Sequence, residues 1–231
     1  MMHTVILLIA AILPAGLLWL YVWKKDAKPE PASQLIKAIL WGIAICIPVA
    51  FAELAVMKML FGNGGPISLI GTTVEAFCVA AIPEEAAKLF VLWLVLRKNP
   101  YFDEHYDGIV YAVCVSLGFA AVENFFYLYG ADNWIGTAIA RALLAVPGHY
   151  AFAVLMGYYY SLYHFVERSA KNAIAILLVP VMAHGVYDAL ALSGTVNPLI
   201  GGIASCVLIY FCIKMHRNAQ RKLVSMIERD K

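Results

Sequence analysis

The sequence predicts an all-α transmembrane helix bundle of about seven spans. Hydrophobic residues make up 63% of the chain and charged residues only 14%. This composition excludes a water-soluble domain, because so much apolar surface could not be hidden from water. Apolar runs of the length that crosses a bilayer alternate with short polar loops. No polar segment is long enough to fold separately, so we predict a single membrane domain over residues 1–231.

The predicted spans follow one another along the chain, and each ends at a polar or glycine-rich loop. They cover residues 5–23, 35–60, 67–96, 108–129, 134–165, 173–192 and about 198–215, and a basic tail follows at 214–231. The first run carries its lysines at its C-terminal end, opposite to a signal peptide, so we interpret it as a span. The runs 67–96 and 134–165 are too long for one straight crossing, which allows for an eighth helix.

Two prolines inside the long runs predict breaks in the helices. Pro83 directly precedes Glu84 and Glu85, and Pro147 lies two residues before His149. Proline lacks a backbone N–H and disturbs the preceding helical turn. We therefore expect a kink beside the two glutamates and local unwinding before His149. That imidazole could then reach across a cavity instead of packing along its own helix.

The lysines and arginines fall in alternate loops. Fourteen of the 17 lie in the segments 24–37, 97–98, 168–171 and 214–231, whereas the loops GNGGP, GADN and SGTVNP contain none. Cytoplasmic loops of membrane proteins are enriched in these two residues. We therefore predict a multi-pass protein with its N-terminus outside the cell and its C-terminus, including the basic tail 214–231, in the cytoplasm.

Three ionisable residues inside one apolar run mark a candidate site. Glu84, Glu85 and Lys88 lie within residues 74–96, where a charge without a partner or a wet cavity is costly. On a helix, Glu84 and Lys88 share one face and Glu85 points about 100° away. One carboxylate can therefore pair with the lysine while the other faces a different group. A buried structural ion pair is the alternative interpretation.

Other predicted spans carry ionisable residues at a similar depth. These residues are Glu123, His149, His184 and Asp188. At ~1.5 Å per residue from the cytoplasmic ends, they and the two adjacent glutamates lie roughly 18–27 Å into a hydrocarbon core of ~30 Å. Residues from four helices that share one depth predict a single polar cavity that opens to the outside. For His149, a hydrogen-bonded packing role also stays open.

This set of side chains allows more than one kind of chemistry. Carboxylates and imidazoles can bind a divalent metal, activate a water or pass protons. His184 and Asp188 lie one helical turn apart on one face, which suits an aspartate that orients an imidazole or two groups that meet one reacting atom. An enzyme, a proton- or ion-coupled transporter or channel, and a non-catalytic membrane subunit therefore stay open, although no internal repeat supports a transporter.

Three motifs stand in order on separate apolar runs: Glu84-Glu85-x-x-Lys88, Phe119-x-x-x-Glu123 and His184-x-x-x-Asp188. Together they resemble the PrsW family of bacterial intramembrane proteases. The strings DGIVYAVCVSLGFAAVENFFY, RALLAVPGHYAFAVLMGYYY and HGVYD resemble the family as well, and the motif-bearing core covers residues 67–192. A more distant resemblance is to the CAAX prenyl endopeptidases, whose motifs read EExxxR, FxxxH and HxxxN. The departures from those motifs argue against prenyl-peptide processing.

The family resemblance implies a substrate and a set of catalytic roles. It implies a site-1 protease that cuts the extracytoplasmic part of a single-pass anti-sigma factor in a bacterial cell membrane. Glu84 or Glu85 would be the general base that activates water, assisted by Glu123. His184 and Asp188 would polarise the scissile carbonyl. The implied partners are this substrate and membrane lipids, and we expect no nucleic acid.

A metal-dependent version of the same reaction stays open at this point. In that version zinc would be held by Glu123, His149 and His184, and Glu85 would be the base. Lys88 would be a structural counter-ion in either version. The replacements relative to the more distant endopeptidases alter the set of available ligands, so the motifs alone do not decide between the two.

Overall fold

The chain folds into seven helices over the range that the computed structural model describes, which is residues 2–231, with side chains from residue 4 onwards. The helices are α1 (Met2–Trp23), α2 (Ala32–Phe61), α3 (69–96), α4 (Asp107–Gly130), α5 (Trp134–Val166), α6 (Ala170–Val196) and α7 (Pro198–Arg229). All except α3 are long and apolar enough to cross a membrane, and α3 is the helix that carries Glu84, Glu85 and Lys88. The predicted all-α polytopic bundle is confirmed.

Helix α4 forms the centre of the bundle. Within its most apolar window 72% of the residues are buried against protein, compared with 17% for α2 and for α7. Its neighbours approach closely at glycines. A β-carbon on Gly118 would lie 2.4 Å from the backbone oxygen of Ile39 in α2, and a β-carbon on Gly157 of α5 would lie 2.4 Å from the backbone oxygen of Gly108. Small residues at such crossings are typical of helix packing in membranes. The packing fixes the helix that carries Glu123 between α2 and α5.

The predicted unwinding before His149 is wrong, and no break occurs at Pro83, because α3 and α5 both run through their prolines. Val146 has helical dihedral angles of φ −63° and ψ −43°. A π-helical segment directly precedes each proline-bearing segment, Glu75–Ala81 in α3 and Arg141–Ala145 in α5. A π-turn replaces the usual hydrogen bonds with longer i→i+5 bonds, so it accommodates a proline without an N–H and leaves the helix continuous.

The basic segment at the C-terminal end belongs to the last helix. α7 continues to Arg229, beyond Met215, where the predicted span ends. Buried residues repeat every four positions from Met215 to Leu223, which is the spacing of one helix face. Asp230 then accepts a 2.8 Å hydrogen bond from the backbone N–H of Tyr106. The end of α7 is therefore docked on the loop that precedes α4.

Candidate functional site

Lys88 lies at the centre of the predicted cluster. Its ammonium Nζ donates to Glu84 Oε2 and to Glu85 Oε1, both at 2.8 Å, and to His149 Nδ1 at 3.2 Å. Lys88 is 1% exposed, and its Nζ lies 4.4 Å from the centroid of the Phe119 ring. We expected one glutamate to pair with the lysine and the other to face a different group. The structure differs, because both pair with Lys88 and Glu85 has further contacts.

Glu85 also belongs to a chain of contacts through His184. The His184 Nδ1 is 3.0 Å from Glu85 Oε1, and the Nε2 is 3.1 Å from Asp188 Oδ2. Because ionised carboxylates only accept hydrogen bonds, both contacts need two protons on the ring or one protonated carboxyl group. The Phe152 ring stacks on the imidazole at a centroid distance of 4.8 Å. The three polar groups can therefore hold a proton and move it along the chain.

Glu123 joins the cluster from α4 through His149 and Arg141. Its Oε2 lies 2.9 Å from the His149 Nε2 and accepts a 2.5 Å hydrogen bond from the Arg141 Nη2. Because the Lys88 ammonium can only donate, the His149 Nδ1 must accept, and the Nε2 must carry the proton that Glu123 accepts. In these contacts His149 is a neutral ring. Arg141 also donates to the Asn124 side chain.

The predicted site residues converge in one connected cluster. Its members on α3, α4, α5 and α6 are Glu84, Glu85, Lys88, Glu123, His149, His184 and Asp188. Side-chain exposure is 1% for Glu85 but 18% for Glu123 and 22% for Asp188. The latter two lie about 10–12 Å along their helices from Gly130 and Val196. The predicted residues therefore lie together, and the cluster is most exposed at Glu123 and Asp188, which mark the side that we call its opening.

Sequence reasoning missed Glu53 and found no role for Arg141. Glu53 of α2 is partly buried and interacts electrostatically with Glu84. A glutamate inside the apolar run AFAELAVMK is the same signal that marked Glu123, so the sequence did contain it. The contact between Arg141 and Glu123 depends on helix packing, and no local pattern indicates it.

Two groups of side chains in the cluster have the spacing of a metal site. Among the described residues, ligand atoms of Glu84, Glu123 and His149 lie within 4.8 Å of one another, as do those of Glu84, Glu85 and His184. The predicted ligands Glu123, His149 and His184 are divided between the two groups, and Glu84 is common to both. Carboxylate oxygens and imidazole nitrogens are ligands that zinc accepts in proteins.

The charge of the cluster fits a bound divalent cation. Four carboxylates on α3, α4 and α6 face two cationic side chains, Lys88 and Arg141. Protonation of His184 would neutralise one more charge, but His149 accepts from Lys88 and stays neutral. The buried Glu85 Oε2 has no hydrogen-bond partner among the described residues. Buried charge without compensation is costly, so both the donor set and the charge balance fit a divalent ion.

The fold and the site define a class of protein. Membrane-spanning helices enclose a cluster of carboxylates and imidazoles that can activate water, which is the arrangement of an intramembrane hydrolase. The profile of the PrsW family of intramembrane metalloproteases matches residues 30–215. The chain belongs to this family, and it is a membrane-embedded peptidase. Membership of a protease family argues against the transporter or channel that the sequence alone left open.

Curated relatives named Protease PrsW match most of the chain. The protein of Geobacillus kaustophilus (strain HTA426) is 38% identical over 189 residues, which cover 81% of this chain and 80% of the relative. The protein of Bacillus subtilis (strain 168) is 35% identical over 182 residues, or 78% and 79% of the two chains. That of Clostridioides difficile (strain 630) is 32% identical over 190 residues, or 79% and 77%. No solved structure matches the chain.

Proposed function

We propose that this peptidase makes the first cut in the extracytoplasmic part of a single-pass membrane anti-sigma factor, at the start of a cascade that releases a sigma factor. The observation that carries the proposal is the position of the opening, on the side of Glu123 and Asp188. The loops at that end, residues 62–68, 131–133 and 197, contain no lysine or arginine. By the positive-inside rule this end faces outside in the cell membrane. The family motifs supply the substrate class.

The orientation is tested by cysteine labelling. In a variant without the five native cysteines, Asn63→Cys is expected to react with a membrane-impermeant maleimide in intact cells. Lys171→Cys, at an exposed position in the first turn of α6 at the opposite end of the bundle, is expected to react only after permeabilisation. The reason is the clear division of basic residues between alternate loops. Labelling of Asn63→Cys only after permeabilisation would reverse the orientation and place the opening in the cytoplasm.

The substrate class is tested with a membrane-anchored reporter. The reporter has an outer segment from a single-pass sigma-binding protein, its transmembrane helix and a cytoplasmic tag. After co-reconstitution, we expect the purified protein to cut the outer segment close to the membrane, so that the tagged fragment keeps its transmembrane helix. Mass spectrometry of the fragments gives the cut bond. A cut on the cytoplasmic side, or an intact reporter with active protein, would contradict the proposal.

In the proposed reaction Glu85 takes the proton of the attacking water. Lys88 and His184 hold its Oε1, whereas its Oε2 is buried and unpartnered within the described structure, so that oxygen is free to accept a proton. As the water oxygen bonds to the scissile carbonyl carbon, negative charge develops on the carbonyl oxygen. The His184 Nε2–H polarises this carbonyl, and Asp188, whose Oδ2 lies 3.1 Å from that nitrogen, orients the imidazole. The proton then moves to the departing amide nitrogen.

Glu84, Glu123 and His149 are the residues that we assign to a zinc ion. This group has one residue on each of α3, α4 and α5, and it includes the partly exposed Glu123 at the opening. Three protein ligands and one open position make a catalytic site, and a zinc ion held by these residues would supply Lewis acidity to a water or carbonyl. Arg141 orients the Glu123 carboxylate, and Lys88 neutralises Glu85 beside the ligands.

A further inference from the structure

A second acidic group lies at the opposite end of α4 from Glu123. Ligand atoms of Glu30, Asp103 and Asp107 lie within 4.8 Å of one another. The three residues come from separate segments, which are the loop between α1 and α2, the loop between α3 and α4, and the first residue of α4. Asp107 and Glu123 are about 24 Å apart along the helix axis. This group is therefore separate from the candidate active site.

One buried oxygen of this group has no hydrogen-bond partner among the described residues. The Asp107 Oδ2 accepts from the backbone N–H groups of Asp103, at 3.0 Å, and Glu104, at 2.7 Å. Its Oδ1 is buried and has no partner among the described residues, and the residue is 0% exposed. The nearby Asp26 also has one buried oxygen, Oδ2, that lacks a partner in the described part of the chain. A buried carboxylate oxygen without a donor is costly, and a cation held by Glu30, Asp103 and Asp107 would give the Asp107 Oδ1 a partner.

The local concentration of carboxylates around Asp107 supports the same conclusion. Lys28 is 74% exposed and forms its ion pair with Glu104, outside the group of three carboxylates. A shared cation reduces the electrostatic repulsion between carboxylates in a partly buried site.

We propose that Glu30, Asp103 and Asp107 bind a hard divalent cation, of the class of Mg²⁺, Ca²⁺ and Mn²⁺. All three ligands are carboxylates, which these cations prefer, whereas zinc favours groups that include histidine or cysteine. The ion would join the loop after α1 and the loop before α4 to the start of the central helix. It would stabilise the fold at the end opposite to the opening and take no part in peptide cleavage.

Terbium(III), a luminescent substitute for Ca²⁺, tests direct binding. Tyr111 donates a hydrogen bond to Glu30, and a tyrosine beside bound terbium sensitises its emission. We expect purified protein, first freed of metal by a chelator, to give sensitised emission that Ca²⁺ competes away. Glu30→Gln and Asp103→Asn are each expected to abolish it. Asp103 has an exposed side chain, so its variant tests the site even where a buried substitution prevents folding.

Thermal unfolding in detergent gives a second, independent measurement. Mg²⁺ or Ca²⁺ at one hundred times its Kd is expected to raise the melting temperature of the wild type by about 5 °C or more. The shift should vanish in Asp103→Asn and persist in Asp132→Asn, an exposed acid at the other end of α4. It should also persist in Glu123→Gln, which alters only the candidate active site. The proposal would be overturned if the wild type gave neither terbium emission nor a shift in melting temperature, which is the result expected if Glu30 and Asp107 share a proton instead. It would also be overturned if the emission and the shift persisted in Asp103→Asn.

Discussion

Glu85→Gln is expected to slow cleavage of the reporter by about 100- to 10,000-fold while bound zinc is retained. Glutamine keeps the shape of the side chain, and its oxygen can still accept from Lys88, but it cannot take a proton from water. Glu84→Gln changes a proposed ligand instead, so it is expected to lose zinc as well as activity. Single-turnover cleavage rates and elemental analysis of the purified variants distinguish the two roles.

Glu228→Gln is the matched control for these variants, because it makes the same change of charge at an exposed position near the end of α7. Its cleavage rate should equal that of the wild type. Size-exclusion chromatography of each variant checks that the protein still inserts and accumulates. Wild-type turnover by Glu84→Gln, Glu85→Gln and Glu123→Gln together would favour the alternative in which these charges only form a structural ion-pair network.

Much of the candidate site could be predicted from the sequence, because each of its charged residues interrupts an apolar run. That signal has one physical cause, the cost of a charge at membrane depth, and it works for residues on different helices. Pairs on one helix, such as Lys88 with Glu84, follow from helical spacing alone. The contact of His149 with both Lys88 and Glu123 depends on the packing of three helices. No local pattern contains that information.

The geometry of the helices around the site was harder to predict than the identity of the site residues. Proline indicates a disturbance of the helix, but a kink and a π-turn are both ways of accommodating it. A π-turn adds one residue and therefore rotates everything after it by about 100° relative to a regular helix. The π-segments Glu75–Ala81 and Arg141–Ala145 directly precede the segments that bear Glu84 and His149. A helical wheel drawn across either segment would misplace these side chains.

The second acidic group was not predicted because its residues lie in loops that mix both charges. The strings KKDAKPEP and RKNPYFDEHYD are typical of solvated cytoplasmic loops, and the positive-inside rule uses only their lysines and arginines. Glu30 and Asp103 are more than seventy residues apart, and only the fold places them together. Burial of Asp107 at the start of α4 is likewise a consequence of packing.

His149→Ala is expected to abolish both zinc binding and cleavage. In the structure the His149 ring lies between Lys88 and Glu123, and it supplies the only nitrogen in the proposed ligand group with Glu84 and Glu123. Two carboxylates alone make a weak zinc site, because zinc sites in proteins usually include histidine or cysteine. A strong chelator should therefore inactivate the wild-type protein, and added zinc should restore its cleavage rate.

His164→Ala is the matched control, because His164 lies on the same helix and contacts the Phe102 ring, at a centroid distance of 4.7 Å, instead of the cluster. It should keep zinc and activity. Restoration by zinc but not by Mg²⁺ separates this site from the proposed carboxylate site at Asp107, which prefers the harder ion. If the chelated protein without detectable metal kept full activity, proton transfer by Glu85 alone would have to activate the water. His149 would then have the role of holding Lys88 and Glu123 in place, which its two hydrogen bonds already allow.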